Sequence, residues 1–119
     1  MSNADLVRTA MHELFELKDL TALDRYWSEP YIQHSPGLPN GLDGLRTAVP
    51  HLEGFTWRPE RVAEDGDLVW AHSRVTGWGE GTQIIVDIFR IHDGKIVEHW
   101  DVVQPETSAE NTVNGNSML

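Results

Sequence analysis

The residues most able to do chemistry lie in the segment Ile84–Gln104, where ionisable side chains stand among large apolar ones. Asp87, Glu98 and Asp101 supply carboxylates within a run of aromatic and β-branched residues. Burying a carboxylate in such surroundings is costly and raises its pKa toward the range useful for proton transfer. The composition of this segment therefore predicts a pocket in which a carboxylate acts as a general base.

The same segment predicts a β-hairpin, which determines the side chains that share a face. A two-residue Asp93-Gly94 loop is a strong hairpin signal, because glycine accepts the positive φ of a type I′ turn. Without a bulge, this turn places Asp87 opposite Trp100. Alternation then predicts a pocket face made of Asp87, Phe89, Ile91, Ile96, Glu98, Trp100, Val102 and Gln104. A one-residue slip or a bulge would exchange the two faces of a strand.

The second face of the hairpin is also largely apolar, so we expect it to meet a partner subunit. It carries Arg90, His99 and Asp101 among valines and isoleucines. His99 is therefore predicted at a subunit interface. On this register Asp101 points away from the pocket, where an ion pair across the strands to Arg90 would account for it.

Three further residues have a chemical and a structural interpretation. Asp87 is the strongest candidate for the general base, although an acid paired with arginine or histidine would look the same. His34, in a loop rich in proline and glycine, could orient a carbonyl, relay a proton, or bond only to nearby backbone. His72 shares a strand face with Trp70. If that face is interior, His72 and Asp87 could form a dyad; otherwise His72 is a histidine of the core.

Aromatic side chains predict the walls of the pocket. Such walls suit a flat, apolar, partly oxygenated ligand, although core packing accounts for at least half of the tryptophans. The predicted substrate-binding positions are Tyr31, Trp70, Phe89, Glu98, Trp100 and Gln104. No histidine pair has metal-binding spacing, and phosphate-binding and dinucleotide-binding motifs are absent. We therefore expect neither a metal ion nor a cofactor.

Composition limits the class of protein. The chain has 119 residues, 39% of them apolar, which fits a globular protein with one real core. Its net charge of −10 argues against binding to nucleic acids or anionic membranes. No apolar run approaches the roughly 18 residues of a membrane span. The absence of cysteine fits a cytoplasmic protein. A small molecule is therefore the expected partner.

The elements that position these residues follow from periodicity and turn signals. Apolar spacing predicts three helices, Asn3–Leu17, Asp19–Trp27 and Leu42–Leu52. Alternation predicts four strands, Phe55–Ala63, Leu68–Trp78, Ile84–Ile91 and Lys95–Gln104. Tyr31–Gly41 is predicted to be a loop with a short extended entry. Helices followed by long antiparallel strands indicate an α+β fold, with a single domain over residues 1–104 and a polar tail over residues 105–119.

Several motifs together resemble a known family. They are Tyr31-Ile-Gln-His34 with Pro36, Gly41-Leu-Asp-Gly44, Asp67-Leu-Val-Trp-Ala-His72, Val86-Asp-Ile-Phe-Arg90 and Asp93-Gly-Lys-Ile-Val-Glu-His-Trp-Asp101. With these motifs the chain resembles the SnoaL-like branch of the nuclear transport factor two-like superfamily. The resemblance implies a cystatin-like, cone-shaped α+β barrel, a curved antiparallel sheet packed with three N-terminal helices. It also implies a homodimer built on the sheet, and acid/base chemistry without a cofactor.

The resemblance also bears on the base. In SnoaL-type cyclases an aspartate near the end of the last strand removes a proton, and an aldol bond then closes a ring. The nearest matches here are Asp101 and Gln104. If the acid aligns with Gln104, the base would be Asp87, or Asp101 where a bulge turns it inward.

Three functions remain open from the sequence. The leading hypothesis is a cofactor-independent enzyme for aldol cyclisation, isomerisation or dehydration of a carbonyl compound in an enclosed pocket. The second is a non-catalytic module that binds a small molecule, since this superfamily includes such modules. The third is an epoxide hydrolase, which needs an arginine and two aspartates, a set that Arg74, Asp87 and Asp101 imitate loosely.

Overall fold

Three short helices pack onto one face of a curved, open five-stranded sheet in the computed structural model, which describes residues 1–119. The helices are α1 (Asn3–Met11, continued by a π-helical turn at His12–Glu16), α2 (Ala22–Tyr26) and α3 (Asp43–Ala48, continued by a 3-10 turn at Val49–His51). The strands are β1 (Trp27–Gln33), β2 (Thr56–Asp65), β3 (Leu68–Thr76), β4 (Gln83–His92) and β5 (Lys95–Pro105). The predicted α+β fold class is confirmed.

The first helix shows how the local sequence sets the architecture. Ser2 caps α1, and its hydroxyl accepts the Asp5 N–H while the Asp5 carboxylate accepts the Ser2 N–H in return. The apolar residues at helical spacing are buried against the sheet and extend through the π-helical turn. None of the helices combines the length and the hydrophobicity that crossing a bilayer requires.

The sheet has the order β1-β5-β4-β3-β2, and its long strands pair antiparallel in sequence order. β1 is the exception, because it runs parallel to β5 at the edge of the sheet. The sequence prediction was wrong here: it assigned Trp27 to a helix and Tyr31 to a loop entry, but both belong to β1. An edge strand tolerates Pro30, which cannot donate to a neighbouring strand.

One extra residue in β5 sets the register of the hairpin. Ile91 pairs with Ile96 as predicted, but Arg90 pairs with Glu98, so that Val97 is inserted between these pairs as a β-bulge. Beyond the bulge, inward-facing and outward-facing residues of β5 are exchanged relative to the prediction. Asp87 therefore lies opposite Asp101, and the predicted pairing of Asp87 with Trp100 is wrong.

The end of β3 approaches the start of β2 very closely. Gly77 has φ +76°, and a Cβ built on it would lie 2.7 Å from both the Cα and the backbone N of Phe55. Backbone atoms cannot move aside as a flexible side chain can. Gly79 has almost the same φ, +77°, but nothing lies within 4 Å of its virtual Cβ. Comparing alanine substitutions at the two glycines therefore separates the free-energy cost of the left-handed backbone conformation from that of the contact with Phe55.

We expect Gly79→Ala to lower the free energy of unfolding by about 1 kcal/mol, from left-handed backbone strain alone. Gly77→Ala should lower it by about 3 kcal/mol or more, because the methyl group also displaces the Phe55 backbone. Urea unfolding of both variants measures the difference. Equal losses would show that the close approach of these two segments has no energetic weight.

Candidate functional site

A pocket opens between the inner face of the sheet and the helices. Of its 16 lining residues, 12 are hydrophobic, among them Trp27, Phe55, Trp78 and Phe89. The empty space amounts to about 510 Å³ when the open mouth is included, but only about 50 Å³ admits the centre of a water molecule. That space has room for several waters. The pocket is therefore a narrow apolar slot.

Polar side chains meet in one region of this slot. Asp87 stands at the middle of β4 and is 6% exposed. Its Oδ1 lies 2.8 Å from His99 Nε2, and its Oδ2 accepts a hydrogen bond of 3.2 Å from Trp57 Nε1. The residue opposite Asp87 on β3 is Ala71, which is also buried. Both oxygens of Asp87 are thus engaged by groups from other strands.

Gln33 fixes the protonation of one His99 nitrogen. The backbone N–H of Ser35 points at Gln33 Oε1 at 3.0 Å, and a backbone N–H can only donate, so this atom must be the amide oxygen. The same oxygen lies 2.7 Å from His99 Nδ1. An oxygen without hydrogen can only accept there. Nδ1 of His99 therefore carries a hydrogen and donates it to Gln33.

A second proton lies between His99 and Asp87. Nε2 and Oδ1 are 2.8 Å apart, a distance at which two bare lone pairs would repel each other. One proton must therefore bridge them, carried by either the imidazole or the carboxyl group. In both cases the pair as a whole is electrically neutral, and neither ring nitrogen of His99 has a lone pair free for a ligand.

Asp101 is the third member of this group and lies directly opposite Asp87. It is half-buried and lines the pocket. Burial raises the pKa of its carboxyl group above the ordinary value, while His99 and the Ser35 hydroxyl lower it in part. Unlike Asp87, it makes no hydrogen bond to a ring nitrogen. Asp101 is therefore the carboxylate of the site most open to a ligand.

Tyr31 lies on the pocket wall at the edge strand, and its side chain is almost completely buried. Burial strongly raises the pKa of its phenol, so the hydroxyl keeps its hydrogen throughout the physiological range. Gln33 Nε2 lies 3.4 Å from this hydroxyl oxygen. The predicted wall residue Phe89 also lines the pocket, with its ring centroid 5.1 Å from that of His99.

Three polar residues of the site lie close enough together to bind a metal ion. Ligand atoms of Asp87, His99 and Asp101 lie within 4.8 Å of one another. A divalent cation would have to displace the proton that joins Asp87 to His99, because the Nε2 lone pair is otherwise committed. The expectation of a metal-free and cofactor-free site stays a prediction.

Several predicted pocket residues lie on the outer face of the sheet instead. The bulge turns Glu98 and Trp100 outward, where the His34 ring stacks on Trp100 with centroids 4.8 Å apart. His34 Nε2 lies 2.8 Å from a Glu98 oxygen, and Arg90 donates to the other Glu98 oxygen at 3.0 Å. The His34 bond and then Arg90 lower the pKa of Glu98. These residues form an outer ionic cluster, on the opposite face of the sheet from the pocket.

The His72–Asp87 dyad is also excluded. Residues 69, 71, 73 and 75 of β3 are buried, so the alternate residues Trp70 and His72 face outward. Trp70 is 40% exposed, and His72 Nδ1 lies 2.7 Å from Arg61. Gln104 is exposed near the end of β5 and contributes nothing to the pocket.

Sequence reasoning missed two residues of the site and misplaced a third. His99 was predicted at a subunit interface, but the bulge brings it inside, where it is 9% exposed. Gln33 and Trp27 were not singled out, because β1 was not recognised as a strand. Tyr31 and Gln33 are two residues apart. This spacing is the one signal in the sequence that could have placed Tyr31 and Gln33 together on an inner face.

Comparisons with known proteins agree on the fold. The model of the SnoaL-like domain family matches residues 8–99 of this chain. TsrD from Streptomyces laurentii is 20% identical, with 87% of this chain and 92% of that chain covered and a TM-score of 0.68. A proposed polyketide cyclase from Bacillus cereus is 22% identical, covering 82% and 71% with a TM-score of 0.69.

A Xanthomonas campestris protein of unknown function with a cystatin-like fold is 24% identical, covering 87% and 91% with a TM-score of 0.70. All three identities are below 25%, so these structures support the fold and not a reaction. No functionally curated protein matches the chain significantly.

The raised pKa of Asp101 has a consequence for stability. A carboxyl group whose pKa is higher in the folded state favours folding when protonated and opposes it once ionised. Its destabilising effect should therefore grow as the pH rises from about 4 through the folded-state pKa. We expect Asp101→Asn to raise the melting temperature relative to wild type more at pH 7 than at pH 4. Calorimetry at both pH values measures this, and a pH-independent difference would contradict it.

Proposed function

The chain belongs to the SnoaL-like domain family, and on that basis we propose that it is a cofactor-independent enzyme that moves protons on a small carbonyl compound. One observation carries the proposal: a half-buried carboxylate, Asp101, lies beside the neutral Asp87–His99 pair in an otherwise apolar slot. A lone ionisable acid in such surroundings is a base whose pKa is displaced toward neutrality.

The roles of the two aspartates follow from their hydrogen bonds. Asp87 was the favoured base on sequence grounds, with Asp101 as the alternative if a bulge turned it inward. The bulge is present, and Asp87 is already bonded to His99 and Trp57. We therefore assign the transfer of the proton to Asp101. Asp87 is a positioning residue that holds His99 in place.

The reaction begins with Asp101 taking a proton from the carbon next to the substrate carbonyl. The C–H electron pair forms a carbon–carbon double bond, and the carbonyl electrons move to oxygen to give an enolate. In a cyclisation the enolate carbon attacks a second carbonyl of the same molecule, whose oxygen then takes the proton from Asp101. Return of the proton to a different carbon gives an isomerisation, and loss of a β-hydroxyl group as water gives a dehydration. The narrow slot favours a planar substrate for any of the three.

A non-catalytic binding module is the second candidate, and one observation favours it. Asp87, His99 and Gln33 satisfy one another, so that much of the polar chemistry is used internally. For an epoxide hydrolase, an arginine must join the two aspartates. Arg74 faces outward and pairs with Glu106, and no arginine lines the pocket, so that set is not assembled.

Exchange of acidic C–H groups with solvent deuterium tests the proposed proton transfer without a known product. We expect the protein to accelerate exchange in a panel of planar 1,3-dicarbonyl compounds, followed by NMR. Asp101→Asn should slow the accelerated exchange by about 100-fold or more, because it removes the base while keeping the shape of the side chain.

Glu98→Gln is the matched control for that experiment. Glu98 is a carboxylate of the same strand, but it belongs to the outer ionic cluster and should leave exchange within about 2-fold of wild type. If Asp101→Asn exchanged protons as fast as Glu98→Gln, Asp101 would not be the base. If wild type bound these compounds without accelerating exchange, the binding module would be the correct function.

We also propose that the outer face of the sheet joins two copies of the chain. The family resemblance implies a homodimer built on the sheet, and apolar side chains on this face are exposed, with Val102 65% and Trp70 40% exposed. His99, which the sequence placed at such an interface, is inside and takes no part. The dimer surface is thus expected around Val102 and Trp70.

A charge on this surface should separate the copies. We expect wild type to sediment as a dimer at micromolar concentration and Val102→Glu to sediment as a monomer, because a carboxylate would be buried without a partner. Val113→Glu is the control, since Val113 is fully exposed in the tail and outside the sheet. A monomeric wild type, or a dimer of Val102→Glu, would contradict the proposal.

A further inference from the structure

A hydrogen-bond donor without a partner lies on the wall of the pocket. The indole Nε1 of Trp27 is completely shielded from solvent, and no acceptor meets it with the geometry of a full hydrogen bond. The whole residue is only 3% exposed and lines the slot. An unpaired buried N–H is costly, and most proteins avoid it. The cost at Trp27 is compensated if a ligand supplies the missing acceptor.

A second donor lies beside the first. Tyr31 is on the same strand and lines the same slot. Burial raises its phenol pKa, and a poorly aligned hydrogen bond from the Trp27 N–H to its oxygen lowers that pKa in part. Gln33 Nε2 donates toward the Tyr31 oxygen at 3.4 Å, which leaves the phenol hydrogen free to donate elsewhere. β1 therefore presents two O–H and N–H donors on one wall of the pocket.

The opposite polarity is found on β4 and β5. There Asp87 and Asp101 contribute carboxylate oxygens to the same slot. β1 and β5 are neighbouring strands, so a ligand that satisfies both sets of groups has an acceptor oxygen directed at β1 and a nearby hydrogen directed at β5. A ligand cation or ammonium group would meet donors at Trp27, because an indole N–H cannot accept.

We propose that Trp27 and Tyr31 bind the carbonyl oxygen of the substrate and stabilise the negative charge that it gains when Asp101 removes the proton. This inference rests on the proposed function and specifies its substrate class. The substrate is a planar, enolisable carbonyl compound whose oxygen lies against β1. Both donors act in a water-poor site, where a hydrogen bond to a developing oxyanion is strong.

Binding of a stable enolate mimic tests the inference without any turnover. The probe is 4-nitrophenolate, a planar ring with a negatively charged oxygen, titrated by its absorbance. The receptor is the full chain carrying Asp101→Asn, in which a neutral side chain replaces the protonated base. We expect Trp27→Phe in this background to weaken binding by about 10- to 100-fold, because it removes one hydrogen bond to a charged oxygen.

Trp78→Phe is the matched control. Trp78 lines the same pocket, but it is only partly buried and its N–H is not trapped without a partner. The loss of ring area is the same in both substitutions, so Trp78→Phe should change affinity by less than about 3-fold, as expected for a small loss of apolar contact. Equal effects of the two substitutions would show that only apolar contact matters and would overturn the proposal.

An NMR measurement keeps the inference testable if Trp27→Phe folds poorly. The five tryptophans give five indole N–H signals in ¹⁵N-labelled protein. We expect saturating 4-nitrophenolate to move the Trp27 signal downfield, as a new hydrogen bond to an anion requires. An unmoved Trp27 signal in a saturated complex would mean that no such bond forms, and the proposal would fail.

The two proposals fail in different ways. Phenolate binding needs no base, so a loss of affinity in Trp27→Phe would support the oxygen site even if Asp101→Asn left proton exchange unchanged. Conversely, exchange that depends on Asp101 but phenolate binding that ignores Trp27 would keep the proposed function and reject the oxygen site.

Discussion

The short contact between Asp87 and His99 organises the rest of the site. It joins β4 to β5, and the bond from His99 to Gln33 extends the connection to β1. Three neighbouring strands are thereby linked through side chains as well as through backbone. The bond from His99 Nδ1 to Gln33 has its donor and acceptor determined, and one proton bridges His99 and Asp87, so the pair keeps one net charge. The apolar walls around these polar groups offer them no alternative partners.

Charge and shape have separate roles in this site. The Asp87–His99 pair is neutral as a whole, and the carboxyl group of Asp101 lies outside that pair. Aromatic side chains make the slot narrow, and the donors of β1 lie on the strand next to the acid of β5. Orientation of a ligand then follows from these neighbouring polar groups and from the flatness of the slot. The remaining polar residues of the sheet, including Glu98 and His34, stabilise its outer surface.

The sequence predicted the larger part of the fold because periodicity and turn signals are local. The helices, the long strands and the Asp93-Gly94 turn all follow from patterns a few residues long. The site was harder to predict, because it depends on a single inserted residue that no local pattern reveals. Val97 is an ordinary strand residue by its sequence. Its insertion nevertheless makes His99 face inward and Trp100 face outward. Trp27 and Gln33 were missed for another reason, since a parallel edge strand gains its structure from pairing with β5, which is remote in sequence.

The bulge at Val97 also has an evolutionary meaning. Side chains of β5 alternate between two distinct polar sets, one with His99 and Asp101 inside and one with Glu98 and Trp100 outside. Loss of a single codon in the bulge would exchange these sets while leaving the hairpin turn and the strand pairing in place. Substitutions change such a strand one group at a time, whereas an insertion or deletion of one residue replaces its entire chemistry. The fold thus keeps a second set of side chains, with Glu98 as its ionisable group, one residue away from its pocket.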